Sequence, residues 1–421
     1  MKSFDFDKII PRRGTNSYKW DEPNDADVLP MWVADMDFST APCIINALKK
    51  RVEHGIFGYT FVPDSYYEAL IHWFERRHGW HIQRDEVLYT TGVVPAIACA
   101  LKALTLPGEK VLVQTPIYNC FFSSIKNCGC EVAENPLRRE KDSYVIDFDD
   151  FERKCSDEKT TVFLLCNPHN PSGRVWTKAE LQRMNDICLR HDVRVIADEI
   201  HGELIMPGYR FQPFAAVNEA CKANSVVLNS PTKAFNIAGL QIANIICSDA
   251  RLRRKIDRAI NINEVCDVNP FGVIALQAAY NEGEAWLDAL NIYLHENYLT
   301  LKTFIHEQLP ALEVCRLEGT YLVWIDIHRT GLTADEACEK LLHEAKLMLN
   351  SGTMYGEKQG GHYLRINLAC PKTTLVEGLH RLKGVLVSET NNPKRPHFLY
   401  SSKFPSERID DETTHGNIMR N

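Results

Sequence analysis

The sequence predicts an α/β protein: a large domain built on a mostly parallel sheet, then a smaller α+β domain. Three observations carry this reading. Short apolar runs alternate with helical patterns between about residues 48 and 285. The clearest of these runs stop at a proline, an Asn-Pro step or an acidic residue. Beyond about residue 286 the alternation gives way to one long helical pattern and shorter period-two runs.

Residues 1–47 read as an N-terminal arm that also supplies part of the smaller domain. Pro30–Phe38 (PMWVADMDF) is apolar and acidic without periodicity, which suits extended chain laid against a larger body. In the 48–285 domain, Lys110–Thr115 (KVLVQT) reads as a buried strand ended by Pro116, and Thr161–Cys166 (TVFLLC) as another ended by Asn167-Pro168. Thr177–His191 reads as an amphipathic helix that opens with Thr177 and Glu180 at capping-box spacing. Val193–Ala197 is a third strand, and Ser225–Leu228 and Ala243–Cys247 are two more. In the 286–390 domain, a helical pattern from Glu284 to about Gln308 leads into Gly319–Asp326, a helix over Thr333–Ala345 and a strand at Tyr363–Leu368. Residues 391–421 are polar and irregular and read as a disordered tail.

Composition narrows the function. There are 48 Lys and Arg against 55 Asp and Glu, a net charge of -7, which argues against nucleic-acid binding. No apolar run reaches membrane-spanning length, and MKSFDFDKII does not resemble a secretory signal. The 14 cysteines include no CxxC pair, so reduced thiols in the cytoplasm are expected. His72, His78 and His81 match no metal-site spacing and read as structural, so no metal is expected. Asp35 and Asp37 read as capping or loop residues. The basic run Arg251, Arg253, Arg254, Lys255 and Arg258 reads as a solvated helix face.

Four pieces at strand ends carry chemistry. Thr90–Ala96 runs from a strand through Gly92 into an apolar helix, so the backbone N–H groups around Val93 and Val94 suit an anion; a plain connection is the alternative. Asn167–Gly173 (NPHNPSG) is a rigid loop that holds Asn170, or a simple turn. Asp198 ends an apolar strand, where a carboxylate is costly unless paired, whether with a protonated pyridine nitrogen or a structural partner. Ser230–Leu240 sets Lys233 among hydroxyls and apolar residues, which lowers an amine pKa and makes it a nucleophile. Ser230 and Thr232 suit a phosphate. Singly each is weak. In this order, within one α/β domain, they point to a pyridoxal 5'-phosphate (PLP) site.

Order and wording together resemble the fold-type I PLP enzymes, with their aspartate-aminotransferase-like fold. PMWVADMDF, FGYT, NPHNPSG, ADEIH, SPTKAFNIAGLQ and LRINLA more narrowly resemble the MalY/PatB-type cystathionine β-lyases, over about residues 1–390. The resemblance implies a carbon–sulfur lyase that cleaves L-cystathionine and related cysteine S-conjugates to pyruvate, ammonia and a thiol. It implies that Lys233 bears the cofactor and moves the Cα proton, that Asp198 faces the pyridine nitrogen, and that Asn170 and His201 face the phenolic oxygen. Tyr118 would stack on the ring and is a candidate catalytic group. Gly92, Val93, Val94, Ser230 and Thr232 would hold the phosphate, joined by Tyr59 from a neighbouring subunit. Arg365 and Ala34 would meet the amino-acid substrate, Arg365 by its α-carboxylate. A homodimer with active sites at its interface follows. Gln241 stands where classical aminotransferases place an arginine on the phosphate. An aminotransferase needs the same lysine, aspartate and arginine and stays open as a reading. So does a regulator that binds a transcription activator, as some relatives do.

Overall fold

The computed structural model describes residues 4–390; the 391–421 tail lies outside them. Seven strands form the large sheet: β1 (Val87–Thr90), β2 (Lys110–Val113), β3 (Glu131–Glu134), β4 (Thr160–Cys166), β5 (Arg194–Asp198), β6 (Ser225–Asn229) and β7 (Ala243–Ile246). Their order across the sheet is β1-β7-β6-β5-β4-β2-β3. Pairing is parallel except at β7, which runs against both of its neighbours, β1 and β6.

Alternation along each strand decides which layer a side chain joins. Val111, Val113, Val162, Leu164, Ile196, Val226 and Leu228 enter one core with the helices Val93–Leu104, Asn119–Asn127 and Ala250–Ile262. Leu112, Phe163, Leu165, Val195, Ala197 and Val227 enter the other. There they join the helices Asp64–His78, Lys178–Arg190 and Pro270–Glu282 and the long helix Glu284–Gln308. Burial on both faces is why these strands are nearly continuous in apolar residues.

The smaller sheet is antiparallel: β8 (Glu313–Val314), β9 (Leu322–Asp326), β10 (Asn350–Ser351) and β11 (Tyr363–Asn367), in the order β8-β9-β11-β10. The arm joins this half, with Leu29–Pro30 pairing in parallel with Leu347–Met348. A helix spans Pro42–His54, so a boundary after residue 47 falls inside it. Ile44 is fully buried and Ala47 and Leu48 pack on the same core, which carries the helix past the arm.

The two halves meet around Gly173 and Arg174. Gly173 has φ +74°, and a Cβ there would come within 3.0 Å of Leu317 Cδ1 and 3.2 Å of the Arg316 carbonyl, so only glycine fits. Buried Arg174 donates from Nε to Glu318 at 3.0 Å, from Nη2 to both Glu180 oxygens at 2.9 and 3.0 Å, and from Nη1 to the Tyr144 carbonyl. Glu180 also closes the capping box with Thr177, so one carboxylate starts a helix and neutralises a cation. Arg174→Met leaves the buried Glu318 carboxylate without its cation, with the Val175 amide at 2.9 Å as its remaining donor among the described residues. It should lower stability by about 3 kcal/mol, read as a lower urea midpoint with an unchanged slope.

Candidate active site

The carboxyl ends of β2, β4, β5 and β6 point the same way, and β1 ends at that edge too. Each leads into one of the four sequence pieces or the Tyr118 turn. A cavity of about 300 Å³ lies there. Its lining includes Gly92, Val93, Val94, Tyr118, Asn170, Asp198, His201, Thr232, Lys233 and Ala34, so ten residues singled out from the sequence share one wall. This is where open parallel sheets bind ligands.

Lys233 follows β6 in a turn whose Phe235 amide donates to the Pro231 carbonyl. Its Nζ donates to the Ala34 carbonyl at 2.6 Å. Burial lowers the amine to about 8, while Asp35 and Asp198 pull upward and Arg365 adds to the lowering. Asp198, the last residue of β5, accepts the Ile200 amide at 3.1 Å. Burial pushes this carboxyl up to about 7, against the Ile200 amide and Lys233. Burial likewise takes His201 down to about 3, with Lys233 and Arg365 adding to it, so its imidazole is neutral; its buried Nδ1 has no partner among the described residues. Burial holds the Tyr118 phenol well above its ordinary value, with Cys120 and Asp198 adding to the effect.

Two expected residues stand behind the lining, and a third, Tyr59, is expected only from a neighbouring subunit. Ser230 is buried behind the lining, where its Oγ meets Thr232 Oγ1 at 2.8 Å and the Ile242 carbonyl at 2.6 Å and accepts the Thr232 amide at 3.1 Å. It shapes the turn that presents Thr232. Arg365, on β11, also lies behind the lining. Its Nη1 donates to Asn170 Oδ1 at 3.3 Å and its Nη2 to the Trp32 carbonyl at 2.8 Å, its guanidinium lies over Tyr355, and its buried Nε has no partner among the described residues. Tyr59 is fully exposed and takes no part in the lining of this single chain.

Sequence reasoning missed Tyr321, whose hydroxyl donates to the Ala34 carbonyl at 2.9 Å beside the Lys233 amine. The alternation of GTYLVWID marks a strand but not which end meets the arm. Asp35 and Asp37 lie in irregular chain, as expected of loop residues. Both are ion-paired, with Arg12 and Lys19, because an extended arm with few strand partners is held by side chains instead. Gln241, before β7, lines the cavity at φ +51°.

These residues fit the PLP that the motifs imply. A buried carboxylate with one backbone donor calls for a cationic partner, and a pyridinium nitrogen is one. A lysine with a depressed pKa suits Schiff-base chemistry. The N-terminus of the Val93–Leu104 helix, with the Thr232 hydroxyl near it, suits a phosphate. The orphaned Arg365 Nε suits a carboxylate.

Comparisons with known proteins agree. The family model for aminotransferase class I and II matches residues 26–382. Cystathionine beta-lyase PatB of Bacillus subtilis is 40% identical over 385 residues, covering 90% of this chain and 99% of the relative. Protein MalY of Escherichia coli is 33% identical, covering 89% of this chain and 97% of MalY. Among solved structures, cystalysin from Treponema denticola, which contains PLP, has a TM-score of 0.89 at 34% identity, covering 92% of this chain and 99% of that one. A PLP-bound putative aminotransferase from Clostridium difficile also has a TM-score of 0.89, at 41% identity and 91% and 100% coverage.

The raised Asp198 carboxyl makes a pH prediction for the cofactor-free protein. The unfolded carboxyl ionises near 4 and the folded one near 7. Between these values the folded state binds more protons, so this group's contribution falls as pH rises from about 4 to about 7. Asp198→Asn removes that loss. Its melting temperature should exceed that of the wild type by a few degrees at about pH 8 and converge with it towards about pH 4, measured by calorimetry without PLP.

Proposed function

The chain belongs to the aminotransferase class I and II family, and from that footing we propose that it is a PLP-dependent carbon–sulfur lyase of the cystathionine β-lyase type. The reaction converts L-cystathionine and water to pyruvate, ammonia and homocysteine, and related cysteine S-conjugates to the corresponding thiol. The observation that carries the chemistry is one cavity holding a lysine amine lowered to about 8 and a carboxyl raised to about 7 beside a helix N-terminus. The relatives favour the direction of the reaction. Those named for cystathionine β-lyase activity include one at 40% identity over nine-tenths of this chain.

When bound, PLP supplies an electron-withdrawing ring that accommodates negative charge at the substrate Cα. Asp198 would sit at its nitrogen, Asn170 and neutral His201 at its phenolic oxygen, Tyr118 on its face, and Thr232 with Gly92, Val93 and Val94 at its phosphate. Arg365 exchanges its contacts with Asn170 and the Trp32 carbonyl for the substrate carboxylate, and Ala34 borders the same space. The Lys233 amine takes the Cα proton, a task suited to a base poised near neutral pH. Tyr118 stays a phenol across the working range and so holds a proton for the departing sulfur.

An aminotransferase is the second reading, because the solved chain at 41% identity carries that description. It needs the same lysine, carboxylate and arginine and differs in returning a proton to the cofactor instead of expelling a thiolate.

A homodimer belongs to this proposal. Ile56, Phe57, Tyr59 and Phe61 are all exposed, at 66, 53, 102 and 79%, a run of apolar side chains that a second copy would cover. Tyr59 would then reach the neighbour's phosphate. A reducing, cytoplasmic setting is supported by 14 cysteines that are all free thiols. Among the described residues no helix is long and apolar enough to cross a membrane.

Purified protein with PLP should show an absorbance band near the visible edge that vanishes in Lys233→Ala. L-cystathionine should then yield pyruvate and thiol without a keto-acid acceptor. Keto acid formed only when an acceptor is supplied would establish the aminotransferase, and absence of the band would remove the cofactor assignment. Tyr59→Ala should weaken PLP retention about tenfold, the equivalent of one charge-assisted hydrogen bond, with dimer mass followed by sedimentation.

A further inference from the structure

The arm carries more charge than a covering strap requires. Arg12 donates to both Asp35 oxygens, from Nη1 at 3.1 Å and Nη2 at 2.6 Å, and from Nη1 to Asp37 at 2.7 Å. It also meets the Met36 carbonyl at 3.1 Å and Ser17 Oγ at 2.9 Å. Lys19, 1% exposed, reaches Asp37 at 2.8 Å and Asp35 at 3.8 Å. Trp20 Nε1 donates to Asp37 at 2.8 Å. Two cations and two carboxylates thus form one network that grips residues 35–37.

The same stretch of chain supplies the carbonyl on which the Lys233 amine rests. Ala34 directly precedes Asp35, and its oxygen accepts both Lys233 Nζ and the Tyr321 hydroxyl. Asn367 Nδ2 fixes the flanking carbonyls, Val33 and Asp35, each at 2.6 Å. Asp37 is sealed in, whereas Asp35 is 22% exposed and its charge is felt at Lys233. The other groups facing the amine are Asp198 from the end of β5, Arg365 from β11, Cys120 from the helix Asn119–Asn127, and His201 and Tyr321. His201, Tyr321 and Cys120 are uncharged at neutral pH, because burial lowers the first and raises the other two. The balance at Lys233 therefore lies between Asp35 and Asp198 on one side and Arg365 on the other.

We propose that Arg12 is a positioning residue for Lys233, anchoring the Ala34 carbonyl on which the free amine docks and balancing the Asp35 carboxylate that would otherwise keep the amine protonated. The inference rests on the reading that Lys233 bears PLP and accepts the Cα proton. Without Arg12, Asp35 keeps only the longer contact with Lys19 at 3.8 Å, and a carboxylate so weakly paired raises the pKa of a nearby amine. A protonated amine neither attacks the cofactor aldehyde nor takes a proton. Docking on a fixed carbonyl keeps the nitrogen in place while it is free, and misplacement of a base costs rate steeply.

The test uses protein stripped of cofactor and mixed with PLP over a range of pH, with the visible-edge band followed in time. Only the unprotonated amine attacks, so the capture rate rises through the amine pKa. Arg12→Met should move that midpoint up by about one pH unit, with capture near pH 7 slowed about tenfold. Adding Asp35→Asn should bring the midpoint back towards the wild-type position, and Arg12→Lys should keep it there. In the loaded enzyme the acid limb of kcat should move in the same direction, with KM changing less. Asp35→Asn alone should move the midpoint down, which keeps the inference testable if Arg12→Met does not fold. A lower melting temperature with an unmoved midpoint in Arg12→Met, or an unmoved midpoint in Asp35→Asn, would overturn it and leave the network a brace. No band in the wild type would instead overturn the cofactor reading beneath it.

Discussion

A sheet covered on both faces can place polar chemistry only at its ends. Here that constraint governs everything else. The interiors of β4, β5 and β6 are apolar because helices lie on each side. The polar side chains that reach the cavity stand at the strand ends and in the turns after them: Asn170, Asp198 and Lys233. Parallel pairing brings those ends to one edge, so residues far apart in sequence meet in one cavity. β7, running the other way, closes the group by starting at that edge with Gln241 just before it.

The cavity is finished by chain from outside the sheet. The arm contributes the Ala34 and Trp32 carbonyls, and the smaller antiparallel sheet contributes Arg365 and, near β9, Tyr321. Arm and small sheet are tied to each other through Asn367 and Asn350 as well as the Leu29–Pro30 pairing. The site is therefore a junction of three parts, and its geometry depends on contacts such as Arg174 with Glu318 that hold the halves together.

Charge inside this junction divides into two kinds. In the arm, Arg12, Lys19, Asp35 and Asp37 satisfy one another, and Asp37 sits below its ordinary range because Lys19, Trp20 and Arg12 more than offset its burial. In the cavity, Asp198 accepts a single backbone amide and Lys233 meets a single carbonyl, while His201 Nδ1, and Arg365 Nε just behind the lining, have no partner among the described residues. Buried polar groups left in that state are costly in a folded chain. Around one cavity such groups suit a ligand, and PLP would offer a cationic ring nitrogen to Asp198 and an aldehyde to Lys233.

The sequence by itself determined the α/β class, the strands at Lys110, Thr161, Val193 and Ser225, the capped helix at Thr177, and Gly92, Asn170, Asp198, Thr232 and Lys233 at the cavity, while Ala34, Tyr118 and His201 came from resemblance to a family. These were legible because burial on both faces imposes continuous apolar runs, and because chemistry at strand ends leaves polar residues at the end of a run or in the turn that follows it. Tertiary structure alone decided that β7 is antiparallel, that Ser230 and Arg365 stand behind the lining, that Tyr321 joins the Ala34 carbonyl, and that Asp35 and Asp37 are paired with Arg12 and Lys19. Strand direction and the partners of a non-repetitive arm leave no periodicity to read. They follow from which distant surfaces come to rest against each other, and that is settled only when the whole chain packs.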